Sequence, residues 1–189
     1  MSIILASKSP RRQELFRLLG LDYTVQTADI DERMDPSLPP EQEVARVGAK
    51  KAAAIAETNP EAVIVSADTI VVIDGSVLGK PKDEADAARM LHLLSGRTHE
   101  VLTGLCVRQG ARVEQTVSRT LVTFRPLTDA EIAAYIRTGE PMDKAGAYGA
   151  QGFGSLFVSH IDGDFFTVMG LPVCELCRLL RKLGITILA

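Results

Sequence analysis

Residues 3–12 read Ile3-Ile4-Leu5-Ala6-Ser7-Lys8-Ser9-Pro10-Arg11-Arg12. The first four form a short apolar run of the kind that makes a buried strand. Ser9 before Pro10 marks a helix start, because a hydroxyl caps the first turn and proline lacks an amide hydrogen that this turn leaves unpaired anyway. Leu15, Leu18 and Leu19 continue at helical spacing. A strand that feeds directly into a capped helix opens an α/β fold.

Outward from this unit, residues 23–27 alternate like a strand, and residues 29–40 are polar, acidic and proline-bearing, which predicts a loop. Residues 41–58 are rich in alanine with Val44, Val47 and Ile55 on one side, predicting a helix despite Gly48. Residues 62–67 and 69–73 are β-branched runs interrupted at Asp68, and Asp74-Gly75 is a hairpin turn into Val77 and Leu78. Asp83 caps a helix that runs through Leu94 and ends at Gly96. Residues 98–107 and 113–124 predict a long hairpin around Gln109-Gly110, and Thr128 with Glu131 makes a capping box before Ile132, Tyr135 and Ile136. Residues 139–154 are glycine-rich, residues 157–161 and 165–168 predict a hairpin across Asp162-Gly163, and a helix over 172–183 precedes a short strand over 185–188. Hairpins mixed with strand–helix units imply a mixed sheet flanked by helices.

The 189 residues suit one core, so residues 1–189 are expected to form a single domain, and the 46% apolar and 24% charged content is ordinary for a globular chain. Lysine and arginine number 21 against 24 acids, and a net charge of −3 supplies no general cationic field for a nucleic-acid backbone. The apolar runs are strand-sized, which excludes a membrane-spanning helix, and Met1 to Ala6 meets Lys8 without a signal-peptide core. Cys106, Cys174 and Cys177 are an odd number and fit a reducing cytoplasm. Cys174 and Cys177 lack a second pair of metal-ligand spacing, so they read as small buried thiols on one helix face.

The chemistry gathers in four places. Arg11 and Arg12 lie in a helical first turn, where exposed amide groups favour acids. Either a bound phosphate or polyphosphate offsets them, with hydroxyls from Ser7 and Ser9, or acids of the 29–40 loop pair with them. Asp68 interrupts an otherwise buried run and needs a cation: Lys80 or another base neutralises it, or it faces a cleft where it holds a divalent metal or activates water. Gly79-Lys80-Pro81-Lys82 echoes the end of a Walker A motif, but the glycine spacing is one residue short and Pro81 stands where a magnesium-binding hydroxyl belongs. Lys80 can still meet phosphate as a point charge, and Lys50 and Lys51 offer further positive groups on the second helix. Finally, residues 143–152, Asp143-Lys144-Ala145-Gly146-Ala147-Tyr148-Gly149-Ala150-Gln151-Gly152, combine close-approach glycines with an amide able to donate to and accept from a base edge; the plainer reading is a surface turn. His92, His99 and His160 lack zinc-protease spacing and no nucleophile elbow is present.

Residues 5–12, Ile30-Asp31-Glu32, Lys51-Ala52, Ser66-Ala67-Asp68-Thr69, Gly79-Lys80-Pro81 and residues 143–152, in this order, resemble the Maf family of nucleoside triphosphate pyrophosphatases over nearly the whole chain. The resemblance implies an elongated mixed α/β fold similar to the inosine triphosphate pyrophosphatases, with two lobes, a central cleft and a homodimeric state. It implies that Ser7, Arg11, Arg12, Lys51 and Lys80 contact the triphosphate. It also implies that Glu32 and Asp68 surround a Mg2+ or Mn2+ ion and the attacking water, with Asp68 the proton acceptor. The branch resembled acts on dTTP and UTP, and positions matching Arg12, Thr69 and Gln151 are associated there with substrate choice. A sister branch acting on 7-methyl-GTP has Trp where Arg11 stands. The activity implied is hydrolysis of the α–β phosphoanhydride to the nucleoside monophosphate and pyrophosphate. A non-catalytic nucleotide sensor in cell division or septum formation and a phosphotransferase are the alternatives.

Overall fold

The computed structural model describes residues 2–35 and 37–188. Met1 of the opening run and Pro36 of the acidic loop therefore lie outside the described residues. The elements are β1 (Ile3–Leu5), α1 (Pro10–Arg17), β2 (Thr24–Val25), α2 (Pro40–Ala56), β3 (Val63–Ile73), β4 (Ser76–Leu78), α3 (Glu84–Leu94), β5 (Thr98–Gln109), β6 (Arg112–Phe124), α4 (Asp129–Ile136), β7 (Val158–Asp162), α5 (Phe165–Met169) and α6 (Val173–Lys182), with three short 3-10 turns between α4 and β7. The strands form one mixed sheet in the order β2-β1-β3-β5-β6-β7, with β4 paired to β3. β1 runs parallel to both β2 and β3, matching Ile4 with Thr24 and with Ile64, whereas β3–β4 and β6–β7 are antiparallel.

By its internal packing the chain divides into two compact units. The first holds residues 1–68, 103–118 and 170–189, and the second holds residues 69–102 and 119–169. In the first unit, Ile4, Ala6, Ala52, Ile55, Ile64 and Cys106 pack α2 onto the sheet. In the second, Val71, Leu91, Leu94, Val101, Phe124, Ile132 and Tyr148 join α3 and α4 to the strands.

The local signals explain most boundaries. Ser9 Oγ accepts the Arg12 amide at 3.5 Å, Asp83 Oδ1 accepts the Asp86 amide at 2.8 Å, and Thr128 with Glu131 forms the reciprocal capping box. Asp74 and Gly75 both take positive φ (50° and 73°), the backbone a two-residue hairpin requires. Three expectations are corrected. β3 is one uninterrupted strand through Asp68, because Asp68 and Thr69 are the two partly buried positions of an otherwise buried strand and the carboxylate is ion-paired, so the ladder need not break. Residues 165–168 belong to helix α5, not to a hairpin partner of β7, since Asp164 caps them: its Oδ1 accepts the Phe166 amide at 3.0 Å and its Oδ2 the Thr167 hydroxyl at 3.0 Å. Residues 185–188 form no strand, and Ile185 is instead buried directly after α6.

Cys106 is buried as expected, but Cys174 is exposed and Cys177 half-buried, so the pair lies toward the outer side of α6 and not in the core. No helix of the described residues is long and apolar enough to cross a membrane.

The second unit contains a buried imidazole with a measurable consequence. His99 Nε2 shares a 2.8 Å hydrogen bond with Tyr148 Oη, and its Nδ1 has no partner among the described residues. Burial pushes the ring down to about 4. The folded value lies below the unfolded one, so the unfolded chain binds the proton more readily and stability falls as pH drops from about 6.5 to 4. The full loss is roughly 3 kcal/mol. Urea unfolding of wild type and His99→Phe across this range is expected to show a shallower pH slope in the variant; equal slopes would remove His99 from the acid sensitivity.

Candidate active site

The site begins with how closely α2 lies on the sheet. Ser66 and Asp68 share one face of β3 because they are two residues apart. The buried Ser66 hydroxyl donates to the Gly48 carbonyl at 2.7 Å. Gly104 allows the α2 backbone to approach β5, since a Cβ there would lie 2.7 Å from the Val44 carbonyl carbon and 2.9 Å from the Ala45 nitrogen. A Cβ on Gly48 would lie 3.3 Å from the Gly104 oxygen. These two glycines seat α2, and one turn beyond Gly48 the Lys51 side chain reaches the sheet.

Lys51 Nζ donates to Asp68 Oδ1 at 2.8 Å and lies 3.1 Å from Glu32 Oε2. Lys51 and Asp68 side chains are 14% and 17% exposed, whereas Glu32 at 56% reaches in from the loop, so the ammonium joins a sheltered acid to an accessible one. The cation that Asp68 requires is thus Lys51, not Lys80. Lys50 is exposed on the other side of α2, where it lines a groove of about 560 Å³ with Arg46, Cys106 and Arg108.

Ser7 is buried immediately after β1, and its Oγ accepts the Ser9 amide at 3.2 Å and Arg12 Nη1 at 3.4 Å. Arg12 Nε also donates to the Gly170 carbonyl at 2.7 Å, holding the guanidinium against the loop before α6. Burial lowers the Arg12 pKa, and the charges of Asp68 and Glu32 oppose that shift while Arg11 adds to it. Arg11 is half-buried in the same turn, and α1 carries no acid there. Asp31 engages Arg33 through both carboxylate oxygens, at 3.0 and 2.8 Å, and this bond holds its carboxyl well below the usual range. The loop is anchored further on, where Glu43 accepts the Asp35 amide at 2.8 Å and pairs with Arg46, while Arg46 donates to the Arg33 carbonyl at 3.1 Å. Glu32 lies between these anchors.

Thr69, Lys80 and Gln151 belong to the second unit. Thr69 follows Asp68 directly and is half-buried, Lys80 is exposed after β4, and Gln151 is exposed in the glycine-rich segment. The Gly79 carbonyl accepts the Gly146 amide at 3.0 Å, so the turn carrying Lys80 is pinned to that segment. Gly146 takes φ 69° and presses on Val71, whose Cγ2 would lie 2.8 Å from an added Cβ.

Among the described residues, no three His, Cys, Asp or Glu side chains form a ready metal cage. The donor set nevertheless fits a hard divalent cation. Glu32 and Asp68 are both oxygen donors within 3.1 Å of one Lys51 nitrogen, and magnesium is commonly held by one or two carboxylates plus substrate phosphates.

Sequence reasoning left open which lysine faces inward and did not find Gly104, whose close approach depends on pairing between distant elements. It also passed over Glu140, which accepts the Phe153 amide at 2.8 Å and the Gly154 amide at 3.1 Å.

The sheet, the first-turn arginines and the lysine shared by two carboxylates define an α/β protein with a polar, charged site suited to a polyanionic ligand. The family model described as Maf-like protein matches residues 2–183, and the chain belongs to that family. It is 52% identical over 184 residues to a dTTP/UTP pyrophosphatase of Bacillus pumilus (strain SAFR-032), covering 97% of each chain. It is 50% identical over 187 residues to a dTTP/UTP pyrophosphatase of Moorella thermoacetica (strain ATCC 39073 / JCM 9320), covering 98% of this chain and 96% of that one. Among solved structures, the Ham1 protein of Staphylococcus aureus aligns with a TM-score of 0.46 at 18% identity, over 68% of this chain and 73% of that one.

Proposed function

We propose that this protein is a metal-dependent nucleoside triphosphate pyrophosphatase that hydrolyses the α–β phosphoanhydride of dTTP and UTP. The observation that carries the reading is the Lys51 ammonium shared by Asp68 and Glu32, with the half-buried Arg12 guanidinium in their field. The names of close relatives support the substrate class.

A nucleoside triphosphate brings about four negative charges, so catalysis rests on positioning and charge neutralisation. Arg11 and Arg12 bind the phosphate chain, and the Ser7 hydroxyl orients Arg12. Lys51 holds Asp68 and Glu32 in register. Asp68 takes the proton from water through Oδ2, the oxygen not bonded to Lys51, as the water oxygen bonds to the α-phosphorus. The bond from that phosphorus to the α–β bridging oxygen breaks, and pyrophosphate leaves with the bridging oxygen. Glu32 would hold Mg2+ or Mn2+, with Asp68 the alternative ligand when it is not the base; the ion when bound neutralises phosphate charge and polarises the reacting phosphoryl group. Thr69 and Gln151 contribute to substrate choice, with Gln151 reading the pyrimidine edge.

A nucleotide panel with and without Mg2+ or Mn2+, scored separately for pyrophosphate and orthophosphate, tests this reading. Metal-dependent pyrophosphate release from dTTP and UTP is expected. Stoichiometric nucleotide binding without pyrophosphate would support a sensor, and a diphosphate product that requires an acceptor would support a phosphotransferase. Arg12→Ala is expected to weaken binding of a non-hydrolysable UTP analogue about tenfold or more while costing about 1.5–3 kcal/mol of stability, the worth of a charged donor's hydrogen bond to the Gly170 carbonyl. Calorimetry and urea unfolding check both halves; unchanged affinity, or collapse of the fold, would make Arg12 a structural residue.

A further inference from the structure

Gln151 sits in a segment whose glycines all make room for neighbouring groups. A Cβ on Gly149 would lie 2.7 Å from Lys144 Cε, one on Gly152 would lie 2.6 Å from Glu140 Cδ, and one on Gly154 would lie 2.9 Å from Tyr135 Oη. The Glu140 carboxylate occupies the hollow that Gly152 leaves. Its Oε2 accepts the Phe153 amide at 2.8 Å, and its Oε1 accepts the Gly154 amide at 3.1 Å and the Tyr135 hydroxyl at 2.8 Å. Tyr135 Oη in turn accepts the Gly149 amide at 3.0 Å. Lys144 Nζ closes the arrangement from below, donating to the Glu140 carbonyl at 2.5 Å and to Asp143 Oδ1 at 2.7 Å. Burial and the adjacent Glu140 carboxylate push the Tyr135 phenol above its usual range, so it remains a donor.

The segment is thus tied at residue 149 on one side of Gln151 and at residues 153 and 154 on the other, all through a single carboxylate and its phenol. Between the ties, the Gln151 side chain is exposed. We propose that Glu140 is a positioning residue for base recognition, clamping residues 149–154 so that the Gln151 amide meets the pyrimidine edge of the nucleotide at a fixed place and angle. This rests on the reading of Gln151 as the base-reading side chain. The physical reason is the steep dependence of discrimination on placement: an amide that wanders by an ångström pairs with several base edges about equally well. A glutamine at position 140 turns an NH2 group toward an amide or hydroxyl donor, so one tie is lost although the shape is kept.

The test compares kcat and KM for UTP and GTP in wild type, Glu140→Gln, Gln151→Ala and the double variant. Glu140→Gln is expected to lower the UTP-over-GTP preference about tenfold, through a higher KM for UTP with kcat changed less than about twofold. Gln151→Ala is expected to lower the preference similarly, with no further loss in the double variant because the two act as one device. Lost preference in Gln151→Ala together with full preference in Glu140→Gln overturns the clamp alone. Full preference in Gln151→Ala overturns the base-reading role, and the clamp's purpose with it. Should Glu140→Gln fail to fold, amide exchange in the wild-type protein decides: protected Phe153 and Gly154 amides are expected, and exchange at open-loop rates overturns the proposal.

Discussion

Asp68→Asn is expected to lower turnover of dTTP and UTP by about 10²–10⁴-fold, the usual contribution of a positioned general base. The substitution keeps the size of the side chain, and its amide oxygen still accepts from Lys51, so the junction between α2 and β3 that the 2.8 Å bond marks is preserved. The lost function is proton acceptance at the other oxygen, which an amide nitrogen cannot perform. Steady-state pyrophosphate release measured beside calorimetric binding of a non-hydrolysable UTP analogue separates the two effects, because binding is expected to persist while turnover collapses. Turnover within about twofold of wild type would exclude Asp68 from the proton step.

The largest stability effect is expected at Gly104. Gly104→Ala drives a methyl group against the backbone of Val44 and Ala45, at 2.7 and 2.9 Å, where no side-chain rotation can relieve the overlap. Helix α2 must shift outward, at a cost of roughly 3 kcal/mol for a strained buried contact. Because α2 carries Lys51, the shift also withdraws the ammonium from Asp68 and Glu32, and turnover should fall with stability. Gly48→Ala is the contrasting case. Its added Cβ meets the Gly104 oxygen at 3.3 Å, a tight contact opposed by a helix-propensity gain of about 1 kcal/mol, so a small net change is expected. Urea unfolding of both variants checks the contrast, and a Gly104→Ala protein as stable as wild type would contradict the close seating of α2.

Much of the fold was legible because its signals are local. The serine cap before Pro10, the aspartate cap of α3, the capping box of α4 and the Asp74-Gly75 turn each satisfy backbone groups within four residues of themselves. One misread element depends on a distant partner. Residues 165–168 have the β-branched and aromatic content of a strand, yet Asp164 supplies a helix start, and the Asp164 amide and carbonyl are both held by Thr120, 44 residues away. Residues 185–188 are apolar enough for a strand, but of these only Ile185 is fully buried, next to α6.

The candidate site divides along the same line. The sequence alone determined the residue types of the chemistry: an acid within a β-branched run, two arginines where a helix begins, and glycines around an amide, each anomalous in its own few residues for a stated electrostatic or steric reason. Only the tertiary structure decided the partners. Asp68 takes Lys51 and not Lys80, Arg12 turns to the Gly170 carbonyl, and Glu140 gathers the backbone around Gln151. Caps and turns depend on groups a few bonds apart, whereas an ion pair across 17 residues, or a contact across 158, exists only after packing has brought two elements together.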